Sequence, residues 1–152
     1  MIYILQQRRV STLEFRVYLG GAMQGLSFQD QNKWREYVKD NLESYYCDYR
    51  VKCINPVDYY NMFDSAAYDS DLEVMNFDLH KVKTSNIVIM NFNNMYSLGS
   101  MAELAIAYDR GIPVIGLNES ERQLHSWQYC MCSKVFADRD AMLTYIKKYY
   151  LD

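Results

Sequence analysis

With 152 residues, half of them apolar, the chain has material for one ordinary domain that buries roughly 70% of its unfolded surface. Its 16 Lys and Arg against 19 Asp and Glu leave a net charge of −3 with no basic block, which removes the electrostatic grip that a nucleic acid polymer requires. The apolar runs are short and broken, and Met1 to Leu5 run straight into Gln6-Gln7-Arg8-Arg9, so neither a membrane span nor a signal peptide is expected and the reading is cytoplasmic.

The first 13 residues are ambiguous between an extra edge strand and a loose arm of a single domain, 1–152. From Glu14 the chain alternates short β-like runs with helical patterns. Phe15 to Leu19 predict a strand, Gly20 and Gly21 a turn, and Phe28 to Ser44 a helix capped by Ser27, with Asp30 three residues on. Arg50 to Ile54 predict a second strand ending at Asn55-Pro56. A loop through Tyr59, Phe63 and Tyr68 follows, long enough to suggest function. A helix over 71–83 feeds a third strand at Asn86 to Met90. A helix from Gly99 to Arg110, closed by Gly111, feeds a fourth at Ile112 to Gly116. Lys134 to Ala137 give the fifth strand, and Asp138 caps the final helix. Strands alternating with helices predict an α/β fold, a five-stranded parallel sheet covered on both faces. Ligands of such sheets bind beyond the C-terminal strand ends, here near Gly20, Asn55, Asn91 and Gly116.

Ser97-Leu98-Gly99-Ser100-Met101-Ala102-Glu103 stands where a strand gives way to a helix, and free backbone N–H groups there attract a phosphate or a carboxylate. The helix that follows is apolar almost all round, which predicts an interior position with Glu103 at its mouth; Ser100 and Glu103 also fit a plain capping box. Asp78 projects beside Val74, Met75 and Val82, so it is either an interior hydrogen-bond acceptor or a group of the site. If Asp78 and Glu103 meet, like charges push one pKa upward, which divides the pair into proton donor and nucleophile. The Gly20 to Gly25 segment permits close backbone approach but lacks the G-x-G-x-x-G spacing. Cys47, Cys53, Cys130 and Cys132 form no C-x-x-C, and His80 and His125 stand far from most of them, so reduced, buried thiols are expected rather than zinc. Trp127 reads as packing, and the 15 tyrosines suggest a subunit interface or a ligand pocket.

Val17 to Met23, Asp78-Leu79, Ser97 to Ala107 and Gly111 to Ile115, in this order and spacing, resemble the nucleoside 2-deoxyribosyltransferase superfamily over roughly Phe15 to Leu151. The resemblance implies a flavodoxin-like (Rossmann-like) three-layer sandwich. It implies Glu103 as the nucleophile at the anomeric carbon, Tyr18 as its orienting tyrosine and Asp78 as the group assisting base departure. Gly20, Gly21, Met23, Gly99 and Ser100 would line the substrate. Ser97, where the transferases carry aspartate, resembles the branch that hydrolyses 2'-deoxynucleoside 5'-monophosphates, because a hydroxyl at a helix N-terminus donates to a phosphate that a carboxylate repels. Ser126 resembles a second phosphate-binding serine lent by a partner subunit, whereas Gln24 stands where that branch has arginine. The expectation is an N-glycosidase of nucleotide metabolism, a homodimer or higher homo-oligomer needing no metal or organic cofactor. Base exchange between nucleosides, a non-catalytic nucleotide sensor, and cleavage of a larger nucleotide such as NAD are the rivals.

Overall fold

In a computed structural model, residues 13–43, 45–46, 49–59, 70–94 and 96–152 are described, and among them no helix is long and apolar enough to cross a membrane. The arm at 1–12, Phe63, Tyr68, Ser44 and Cys47 lie outside the described residues. Six strands form one sheet: β1 (Leu13–Gly21), β2 (Tyr45–Tyr46), β3 (Tyr49–Ile54), β4 (Ile87–Asn91), β5 (Val114–Leu117) and β6 (Lys134–Phe136), in the order β2-β3-β1-β4-β5-β6. All neighbours are parallel except the two-residue edge strand β2, antiparallel to β3 and too short to carry a sequence signal. Without β2 the order is the flavodoxin-like one, whose strand order reverses between β1 and β4 and opens a crevice at their C-terminal ends.

β4 and β5 are buried at every residue, as strands covered on both faces must be. On one face, α1 (Phe28–Leu42) and α5 (Arg139–Ile146) bury Trp34, Val38, Leu42, Met142 and Ile146 against Val17, Leu19 and Ile89; α5 runs on into a π-helical turn over Lys147–Leu151. On the other, α2 (Asp71–Lys83) and α3 (Leu98–Asp109) bury Val82, Leu104 and Ala107 against Tyr18, Val88 and Met90. The predicted caps form: Ser27 and Asp138 accept from the backbone N–H of Asp30 and Ala141, and Gly111 takes φ +70° just past α3.

Three expectations need correction. Gly20 and Gly21 are no turn; they are the last residues of β1, paired with Met90 and Asn91, because a parallel neighbour on one side suffices to carry the strand onward. The fourth strand begins at Val114, after Pro113, whose ring leaves no N–H for the ladder. α3 is not interior all round, since Leu98 is 86% and Tyr108 59% exposed; a two-turn face against one sheet is all that a covering helix can bury. A further helix, α4 (Ser126–Cys130), with a cap formed by His125 and Gln128, stands between β5 and β6, where the sequence reading has none.

Candidate active site

α3 delivers Glu103 to the crevice. Ser100, Leu104 and Ala107 form its buried stripe, and Glu103 shares that side at the end nearest the strand tips. The hydroxyl of Tyr18, wholly buried on β1, donates to Glu103 Oε1 at 2.8 Å, joining residues 85 apart in sequence. Gly20 lies behind the other oxygen, where an added Cβ would stand 3.3 Å from Glu103 Oε2 and 2.7 Å from the terminal methyl of Met90. The capping-box alternative is set aside by the cap itself: Ser97 accepts from the N–H of Ser100, and the two hydroxyls are hydrogen-bonded at 2.9 Å, while the Glu103 carboxylate bonds across to the sheet.

A cavity of about 600 Å³ opens above this carboxylate. α2 contributes Val74 and Asp78; the end of β1 and the turn after it contribute Gly21, Met23, Gln24 and Gly25; the start of α3 contributes Ser97, Leu98, Gly99 and Ser100. Pro56, Asn94 and Tyr96 complete the lining. Among the described lining residues no Lys or Arg appears, and the acids are Asp78 and Glu103. Burial pushes Glu103 up to about 7; Tyr18 donation opposes this, the Asp78 charge adds to it, and the Arg35 guanidinium opposes it. The result is a carboxyl group poised between its two forms near neutrality, hydrogen-bonded on one oxygen and facing a cavity large enough for a nucleoside-sized molecule.

The structure thus brings Asp78, Glu103, Gly21, Met23, Ser97, Gly99 and Ser100 together at one cavity, with Tyr18 and Gly20 beneath it. It does not bring Ser126 there. Ser126 lines a neighbouring cavity of about 780 Å³ with Met101, His125 and Trp127, and Tyr96 borders both. Asn91 faces a third cleft with Lys33 and Arg139, and Gly116 packs against Phe92, Val135 and Cys132, so the crevice occupies only the β1 side of the expected region. Trp127 is no packing residue, being 73% exposed on a helix too short to bury it, and Cys130 is exposed rather than buried. Sequence reasoning missed Tyr96, Asn94 and Arg35. Arg35 alone carried a signal, since with Val38 and Leu42 it falls at i, i+3 and i+7 on the apolar stripe of α1.

The family model for nucleoside 2-deoxyribosyltransferase matches residues 17–143. A comparison with curated proteins by sequence finds no match. Among solved structures, a conserved protein from Enterococcus faecalis V583 superposes with a TM-score of 0.69 at 15% identity, covering 90% of this chain and 99% of that one. A 2-deoxyribosyltransferase from Bacillus psychrosaccharolyticus gives 0.64 at 17% identity, covering 86% and 91%. A CMP N-glycosidase from Clostridium botulinum gives 0.55 at 17% identity, covering 88% and 99%. At such identities the superpositions establish the shared fold.

Proposed function

The chain belongs to the nucleoside 2-deoxyribosyltransferase family, and within it we propose an N-glycosidase that hydrolyses the base–sugar bond of a 2'-deoxynucleoside 5'-monophosphate. The observation that carries this reading is the Tyr18–Glu103 hydrogen bond at the floor of a cavity that also holds Asp78 and the N-terminus of α3. A carboxylate with one oxygen held by a phenol is oriented as a nucleophile. Glu103 attacks C1' and the bond to the base breaks; Asp78 polarises or protonates the departing base. Water then attacks the glycosyl ester, releasing deoxyribose 5-phosphate and restoring Glu103, with net retention from two displacements. The N–H groups at the start of α3, with the Ser97 and Ser100 hydroxyls, supply neutral donors to the phosphate.

Base exchange is the second reading, favoured by one observation: no cation stands among the described lining residues, and Gln24, where the resemblance implies arginine for the hydrolase branch, is one of them. The working unit in either case is a homodimer, supported by the apolar surface at the cavity mouth, where Tyr96 is 90% and Leu98 86% exposed. The deciding experiment incubates the chain with a panel of deoxynucleosides and their 5'-monophosphates, with and without a free acceptor base. Chromatographic release of base from monophosphates, abolished by Glu103→Ala, supports hydrolysis. A swapped nucleoside establishes exchange, and binding without release, unchanged in Glu103→Gln, leaves a nucleotide sensor.

A further inference from the structure

Arg35 is wholly buried, and burying a guanidinium is costly unless its charge serves something. Its three donor groups all go to backbone carbonyls: Nε to Leu19 at 3.1 Å, Nη2 to Gly21 at 2.9 Å, and Nη1 to Gln31 one turn back on α1. The choice of carbonyls follows from the sheet. β3 ends its register at Ile54 opposite Tyr18, while β1 continues to Gly21 beside β4 alone, and the arginine fork grips β1 on either side of Gly20. That is the residue against which Glu103 Oε2 rests, two residues after the tyrosine that holds Oε1 and so on the same face of β1.

We propose that Arg35 is a positioning residue for Glu103, fixing the end of β1 on which the carboxylate lies and setting a permanent positive charge behind it. The inference rests on the reading of Glu103 as nucleophile. With its hydrogen bonds made to carbonyls and no ion pair to a carboxylate among the described residues, Arg35 acts through space on the acidic groups of the site. Those facing Glu103 are Tyr18 from β1 and Asp78 from α2, with Arg35 itself on α1 as the cation. Burial lowers the guanidinium to about 10, opposed by Tyr18, Glu103 and Asp78, which leaves it charged throughout the working range. A tyrosine hydrogen bond alone would orient the carboxylate; the arginine opposes the burial and the Asp78 charge that together favour its protonated, non-nucleophilic form.

The test follows the Glu103 carboxyl by carbon NMR across pH in the full chain, against Glu103→Gln, with the pH profile of base release beside it. Arg35→Met raises the Glu103 titration by about one pH unit and lowers release about tenfold more at about pH 6 than at about pH 8.5. Arg35→Lys keeps the charge and loses the fork, so the titration stays within about half a unit while kcat falls about tenfold at unchanged KM. A folded Arg35→Met whose titration and profile match the parent overturns the proposal. Should that variant not fold, Arg35→Lys decides, and parental kcat in it overturns the positioning role. If the parent chain releases no base at all, the glycosidase reading falls, and the NMR titration alone still decides whether Arg35 sets the ionisation of Glu103.

Discussion

In the proposed reaction Glu103 must be ionised to attack carbon, and the protein holds it where ionisation is costly. With its folded value near 7 against an ordinary 4.5, the native state retains a proton between those limits that the unfolded chain has lost. Stability therefore falls as pH rises through that window, by on the order of 3 kcal/mol once Glu103 is fully charged. Replacing Glu103 by Gln removes this cost. The expected outcome is a thermal midpoint several degrees above the parent at about pH 8, with the advantage gone near about pH 4. Calorimetry at the two pH values checks it, and an equal effect at both would separate Glu103 from the pH dependence. Tyr18→Phe tests the same carboxyl through activity. Without the phenol the carboxyl titrates higher still, so in the proposed reaction base release, expected to rise through about pH 7 in the parent, should shift its acid limb upward and fall about tenfold near neutrality. Gly20→Ala leaves the Met90 methyl free to swing aside but presses on Glu103 Oε2, and a loss of about 10–100-fold in kcat with little change in thermal midpoint is expected.

At the scale of elements, α3 has two tasks that one substitution can separate. Ser97 caps the helix through the Ser100 N–H, and in the proposed reaction its hydroxyl also faces the phosphate. Ser97→Ala removes a cap worth about 1 kcal/mol, which lowers the thermal midpoint by about 3 °C. If the phosphate reading holds, KM for a monophosphate rises about tenfold while KM for the matching nucleoside stays near the parent value; steady-state kinetics on both substrates distinguishes the roles. The elements themselves were legible because each carries its own local signal. Residues 71–83 form the helix their periodicity predicts, and Ile87 to Met90 show the unbroken apolar run of a strand buried on both faces. The end of β1 was not legible, since glycines continue a strand only when a neighbour supplies hydrogen bonds, and that neighbour is 70 residues away at Met90 and Asn91. The convergence of Tyr18, Asp78 and Glu103 likewise depends on the order of β1 and β4, which no single segment encodes. The family's spacing named these residues, while Arg35, hidden on an amphipathic helix, stayed out of view.

For the whole molecule, the proposed dimer rests on the surface beside the cavity. Tyr96, Leu98 and Trp127 stand 90%, 86% and 73% exposed; Tyr96 and Trp127 line the second cavity with Met101, Leu124 and Ser126, and Leu98 lines the first. A chain of net charge −3 that leaves Tyr96 and Leu98 in water at the start of one helix and Trp127 and Tyr129 on another has a face suited to association. Tyr96 borders both cavities, so a two-fold axis placed near it would set each copy's Ser126 toward the other's Glu103 cavity and give this serine its expected role despite its distance from that cavity within one chain. Light scattering should then give the mass of two chains for the parent and one for Trp127→Asp, a charge placed where the partner's apolar face must close. Base release by the separated copies should fall about tenfold or more in kcat/KM for monophosphates, because each cavity loses the serine its neighbour lends, and Ser126→Ala should reproduce that loss without dissociating the pair. A dissociated Trp127→Asp chain with full activity would show that one copy is complete, and would return the phosphate to Ser97, Ser100 and the start of α3 alone.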